Sequence, residues 1–311
     1  MGMATQPNPG IRQVSEKLYL ITLVPPIPGF ADFISVWLYM GPPCFIVDVG
    51  PSVTVPQLVS ALQHLHVLRI EYLFLTHIHI DHAGGAGEFL GFYPDTPVIV
   101  HPEAIPHLVE PSRLWKGSLD VLGDIAKAYQ PIRPVPEDRL MDVYACSFCP
   151  VEPILTPGHS AHHVSYRFEN ILFAGEAGGV HLSGAAGQEY LRPATPPRFF
   201  LETFVQSLDR LLDRKMDFIC YGHWGETESG RNLLEKHRNQ LYLWSRIIGE
   251  EMDKWNQERF FSDCMNRLFS EDKRLSGFFA LDAATRKREE YFISNSIRGF
   301  GLFLKAAADN A

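Results

Sequence analysis

The chain has 311 residues, 46% hydrophobic and 21% charged, with 36 acidic against 28 basic side chains for a formal net charge of −8. That is ordinary globular composition, long enough for two domains or one large one, so a disordered chain is excluded. The acidic surplus, with no basic run beyond Arg286-Lys287-Arg288, argues against a nucleic-acid scaffold, and apolar stretches such as Leu18 to Val24 fall far short of the roughly 20 residues of a membrane-spanning helix.

Residues 1–12 carry two Pro and two Gly and are expected to be disordered. They lack the cationic start and apolar core of a secretion signal, and Gln6 stands where a myristoylation motif needs Ser or Thr, so a cytoplasmic protein is expected. From Lys17 to about His223, short β-rich runs alternate with Gly and Pro. Candidate strands are 18–23, 33–38, 44–49, 72–75, 98–101, 154–155, 164–168, 171–174 and 218–221; several are apolar on both faces, as in a covered sheet. Residues 55–65 and 200–212 read as amphipathic helices, the second through Leu201, Phe204, Val205, Leu208, Leu211 and Leu212. The expected class is α/β, a sandwich of sheets with helices outside, over residues 13–225.

Beyond Gly225 the pattern becomes helical, and residues 226–311 are expected to form a C-terminal helical extension. Leu234, Leu241, Trp244, Ile248, Met252 and Trp255 draw one stripe along a helix that Ser229 is placed to cap. Further short helices are expected around Phe260–Phe269 and Phe292–Phe303. These stripes need a partner surface: the sandwich, a second copy in a homo-oligomer, or the wall of a site. The cysteines Cys44, Cys146, Cys149, Cys220 and Cys264 are few and odd in number, no disulfide framework, and the lone Cys146-Ser147-Phe148-Cys149 lacks the second pair of a zinc knuckle.

The chemistry concentrates in Thr76-His77-Ile78-His79-Ile80-Asp81-His82-Ala83-Gly84-Gly85, directly after an apolar strand. In extended chain alternate side chains share a face, so His77 and His79 project together while Ile78 and Ile80 turn to the apolar side. Asp81 and His82 follow where the chain turns. Three imidazoles and a carboxylate within six residues suit zinc or iron, and gathering such polar groups near a core without a metal would be costly. Thr156-Pro157-Gly158-His159, Gly175-Glu176 and Gly222-His223 follow later strands, where loops at one sheet edge gather functional groups.

Taken in order, His-x-His-x-Asp-His-x-Gly-Gly, Thr-Pro-Gly-His, Gly-acid and Gly-His resemble the metallo-β-lactamase superfamily, in the branches that include glyoxalase II, lactonases and thioesterases. The resemblance covers Lys17 to Gly225, about two-thirds of the chain. It implies a four-layer αββα sandwich and two divalent transition-metal ions, zinc first and iron or manganese as alternatives. By the resemblance His77, His79 and His159 bind one metal, and Asp81, His82 and His223 the second. Glu176 stands where the family usually has the Asp that bridges both, and His163 resembles a histidine that orients a ligand through its other ring nitrogen.

The implied function is a metal-dependent hydrolase cleaving a thioester, lactone or other carboxylic ester of a small molecule. Its nucleophile would be a metal-bridging hydroxide, with Asp81 also helping to move a proton. The loop 181–198 offers Tyr190, Arg192 and Arg198 as substrate contacts, the arginines meeting an anionic group or remaining solvated. The alternatives are a non-haem iron redox enzyme on the same fold, a metal-retaining binding or regulatory protein, and a phosphodiesterase. Against the first, His79 stands where those reductases carry Glu, and the 86 residues after Gly225 hold no flavin domain.

Overall fold

The computed structural model describes residues 10–146, 151–183, 189–196 and 199–309. The chain divides into two compact units, Met1–Pro153 and Ile154–Ala311.

The first unit is built on a seven-stranded sheet in sequence order: β1 (Gly10–Gln13), β2 (Leu18–Leu23), β3 (Ile34–Met40), β4 (Cys44–Val47), β5 (Tyr72–Phe74), β6 (Val98–Val100) and β7 (Leu140–Asp142). β1 to β4 pair antiparallel, whereas β4 to β7 pair parallel, each parallel step needing a crossover. The first crossover is α1 (Val55–His64), which buries Val55, Leu58, Val59, Ala61 and Leu62 at helical spacing. α2 (Ala86–Phe89) serves the second, and α3 (Ile105–Val109), α4 (Ser112–Leu122) and α5 (Asp124–Tyr129) the third. The parallel strands are short and wholly apolar at their centres, with Phe45, Ile46, Leu73, Val98 and Ile99 excluded from solvent.

The second unit has a five-stranded sheet in the order β14-β13-β10-β9-β8, from β8 (Glu152–Leu155), β9 (Val164–Phe168), β10 (Ile171–Gly175), β13 (Phe218–Tyr221) and β14 (Glu226–Thr227). β11 (Val180–Ser183) and β12 (Glu189–Arg192) form a separate antiparallel hairpin. β10 and β13 run parallel across the crossover helix α6 (Leu201–Leu212). Then come α7 (Gly230–Gly249), α8 (Phe260–Glu271), a 3-10 segment at Lys273–Ala280 and α9 (Ala283–Asp309). Leu172, Ala174 and Ile219 of the sheet share one core with Phe204 and Leu208 of α6, Leu241 and Trp244 of α7, and Ile297 and Phe300 of α9.

Several expectations change. Residues 10–12 are ordered, because β1 pairs with β2 from Gly10 onward; residues 1–9 lie outside the described residues. The compact division falls at Pro153, and the C-terminal helices complete the core of the second sheet. Ser229 occupies the N-cap position of α7 but its side chain makes no capping hydrogen bond. Met252 and Trp255 lie beyond the end of α7, and the last helix is 27 residues, not short. Cys149 and Arg198 lie outside the described residues. Among the described residues no helix is long and apolar enough to cross a membrane.

Candidate functional site

In the first unit the ligand candidates leave the carboxyl ends of parallel strands, the edge where α/β sheets bind ligands. Asp48 follows β4 and Thr76-His77 follow β5. Asp48 is buried and holds a left-handed φ of 59°. Its Oδ1 accepts the Thr76 backbone N–H at 2.8 Å, and its carboxylate accepts the Thr76 hydroxyl at 2.9 and 3.0 Å. With its own proton given to Asp48, the Thr76 oxygen accepts from Nδ1 of His77 at 3.0 Å. Nδ1 of His82 donates to Oδ2 of Asp48 at 2.9 Å. Both rings thereby carry their proton on Nδ1, leaving the Nε2 lone pair as the ligating atom.

Nε2 of His77 lies 3.0 Å from Nδ1 of His79, and Nε2 of His82 lies 3.9 Å from Oδ2 of Asp81. Two ligands at about 2.0–2.1 Å on a tetrahedral cation are about 3.3 Å apart, so both pairs have the spacing of atoms that share an ion or flank one. Ile78 and Ile80 are buried on the opposite side, as alternation requires. The turn that delivers Asp81 and His82 closes through Gly84, where a Cβ would stand 2.3 Å from the Ile80 carbonyl oxygen.

The second unit supplies the other set. Gly175, at φ 55°, ends β10, and its carbonyl accepts from the Gly222 N–H at 3.2 Å. Glu176 and His223 therefore emerge side by side from neighbouring parallel strands. The Glu176 carboxylate spans two imidazoles: Oε2 lies 2.8 Å from Nε2 of His159, and Oε1 lies 3.5 Å from Nε2 of His223. His159 donates from Nδ1 to the Ala194 carbonyl at 2.8 Å, which again frees Nε2. His163 stands behind Glu176: its Nε2 accepts the Glu176 backbone N–H at 3.3 Å, so Nδ1 is its protonated nitrogen and donates to Thr156 Oγ1 at 2.8 Å. Thr156 pairs with Ser165 Oγ at 2.9 Å, and Ser165 donates to the Ala174 carbonyl at 3.1 Å. His163 thus orients the backbone that presents Glu176.

Each unit therefore collects its own candidates, His77, His79, Asp81 and His82 in one, and His159, Glu176, His223 and His163 in the other. The substrate residues fare differently. Tyr190 and Arg192 are buried and turned to Glu289 of α9: the Tyr190 hydroxyl donates to Oε2 at 2.7 Å and Arg192 Nε donates to the same oxygen. The charge expected to meet an anionic substrate is neutralised inside the unit. Burial pushes the Tyr190 phenol well above its ordinary value, with Glu289 adding to it. Burial also raises Glu289, but Arg192 and Arg288 outweigh it and hold its carboxyl below the usual range. Sequence reasoning passed over Asp48, Thr76, Thr156 and Ser165; for the first three the one signal was an acid or hydroxyl placed where an apolar strand ends, whereas Ser165 lies inside β9.

A profile of the Metallo-beta-lactamase superfamily matches residues 31–223. The chain is 28% identical over 182 residues to the metallo-beta-lactamase fold-containing protein ST1585 of Sulfurisphaera tokodaii, covering 56% of this chain and 67% of that one. It is 31% identical over 180 residues to a hydroxyacylglutathione hydrolase of Erwinia tasmaniensis, covering 58% and 57%. It thus spans between about half and two thirds of the length of these curated relatives. Among solved structures, ST1585 from Sulfolobus tokodaii aligns with a TM-score of 0.67 at 21% identity over 92% of this chain and 98% of that one. TTHA1429 from Thermus thermophilus aligns with 0.62 at 20% identity over 95% of each. At these identities the likeness establishes the fold, which is the expected metallo-β-lactamase class with helices at the C-terminal end.

Proposed function

The chain belongs to the metallo-beta-lactamase superfamily, and we propose that it is a metallo-hydrolase that cleaves a small thioester or carboxylic ester, lactones included, at a centre of two divalent cations, zinc first among them. In this reading His77, His79 and His159 hold one cation, Asp81, His82 and His223 hold the other, and Glu176 serves both. The observation that carries it is the Glu176 carboxylate, each of whose oxygens faces the Nε2 of a different histidine at 2.8 and 3.5 Å. One of those rings, His159, is fixed in the ligating tautomer by the Ala194 carbonyl. Family membership supplies the pairing of the two sets. The hydroxyacylglutathione hydrolases among the relatives support a thioester.

Bound cations of this kind bring the pKa of water toward about 7 and polarise a carbonyl, so no serine or cysteine nucleophile is required. The protein's part is orientation. Asp48 and Thr76 hold His82 and His77 with Nε2 outward, and Ala194 does the same for His159. His163 and Thr156 fix the backbone of Glu176. In this reading the Asp81 carboxylate, which is only partly buried, also takes up and releases a proton as the ester is cleaved.

The test is metal analysis of the purified chain followed by hydrolysis of a panel of thioesters, lactones and phosphodiesters. About two divalent cations per chain and turnover of a thioester or ester are expected, with both sharply reduced in His79→Ala. Unchanged metal content in that variant, or turnover confined to phosphodiesters, would refute the reading.

A further inference from the structure

The last helix reaches two of the ligand histidines of its own unit by separate routes. Along the first, buried Glu289 accepts from Tyr190 and Arg192, and from Arg288 Nε at 2.8 Å. Arg192 Nη1 then donates to the Pro193 carbonyl at 3.3 Å, and Ser296 of α9 donates to the same carbonyl at 3.2 Å. The next carbonyl, that of Ala194, is the one that accepts from His159 Nδ1. One helical turn beyond Ser296, α9 lies directly on this segment: a Cβ at Gly299 would stand 2.5 Å from the Pro196 carbonyl oxygen.

Along the second route, the Arg288 guanidinium lies 4.3 Å above the Trp224 ring, and the Tyr190 ring meets Trp224 edge-on at 5.8 Å. Trp224 follows His223 directly and holds φ 66°, a conformation a bulky residue keeps only where its surroundings impose it. Cohesion alone does not explain this arrangement. Apolar side chains of similar volume generally hold two elements together as well as a buried Arg-Glu-Arg cluster does, and often better. What the charges add is a defined position.

We infer that α9 is a positioning element for the metal ligands His159 and His223, with Glu289 and Gly299 as the residues that set where the 193–196 segment and Trp224 lie. The inference rests on the reading of those histidines as ligands. It makes the C-terminal helix part of what determines metal affinity, although it contributes no ligand.

The test compares Gly299→Ala, Glu289→Gln and the control Gly249→Ala, whose added methyl would meet only Leu304 at 3.8 Å. Alanine favours a helix interior over glycine, so Gly299→Ala is expected to fold even if Glu289→Gln does not. Zinc affinity is measured by chelator competition, and the His159 Nδ1 proton by imidazole NMR of the metal-free chain, with circular dichroism as the check on folding. Folded Gly299→Ala, and Glu289→Gln if folded, should bind zinc about 10–100-fold more weakly and should shift or lose the His159 proton signal, while Gly249→Ala matches the parent. Parent-like zinc affinity in folded Gly299→Ala overturns the inference and leaves the proposed function standing. Should the parent itself bind no zinc, the proposed function fails, and NMR decides: an unchanged His159 proton in Gly299→Ala overturns the positioning role, and a displaced one supports it.

Discussion

Nδ1 of His82 lies 2.9 Å from Oδ2 of Asp48, a residue 34 positions earlier that also receives both donors of Thr76. One carboxylate therefore sets the tautomer of His82 directly and of His77 through Thr76. Asp48→Asn keeps the size and the tolerance for a left-handed backbone but replaces a charged acceptor with an amide. Metal affinity should fall about 10–100-fold, as read by chelator competition. An Asp48→Asn variant that keeps both cations with parent affinity would show that Asp48 does not orient the ligands.

Glu176 carries one more methylene than the Asp usual in the family, and its backbone N–H donates to Nε2 of His163. Glu176→Asp withdraws the carboxylate from that backbone, so it can no longer meet both His159 and His223. The expected outcome is a fall from two bound cations toward one, counted by mass spectrometry under non-denaturing conditions.

Thr156 is fully buried and ties His163 to Ser165. Thr156→Val preserves the shape and removes the hydroxyl, leaving a buried imidazole N–H without its acceptor. A loss of about 1–3 kcal/mol is expected, read as a lower urea midpoint at unchanged slope.

Much of the candidate ligand set is legible because it is dense: four candidates within six residues, and a Gly-His or Gly-acid pair at or just after the ends of β8, β10 and β13. The residues that orient them are not, since Asp48, Thr76 and Thr156 are lone polar residues at strand ends, a common situation in any α/β chain. Tyr190 and Arg192 were misread for a related reason. An arginine beside prolines looks solvated until its partner is known, and Glu289 lies 97 residues away. The apolar strands of both sheets were visible within a residue or two. Strands β1, β7, β11 and β12 are about as short as β5 and β6 but mix polar with apolar residues, so no continuous apolar run marks them.

Two buried histidines outside the ligand set should make the protein acid-sensitive. Burial lowers His181 and His237 from 6.5 to about 4 each. Both are neutral in the folded chain, whereas the unfolded chain takes up their protons below about pH 6.5. Stability is then lost as pH falls from about 6.5 toward 4, by up to about 3 kcal/mol per histidine, and levels off below. Urea titrations between pH 7 and pH 4 should show this fall, and His237→Leu should make it shallower. An unchanged pH dependence in that variant would mean that other groups control the acid transition.

The shared core of β10, β13 and the C-terminal helices bears on how the gene can be handled. A clone ended after Gly225, where the ligand motifs stop, would lose Leu241, Trp244, Ile297 and Phe300 and leave Phe204, Leu208 and Ile219 facing water. Such a minimal version should express as insoluble material, so affinity tags and reporter fusions belong on an intact C-terminus.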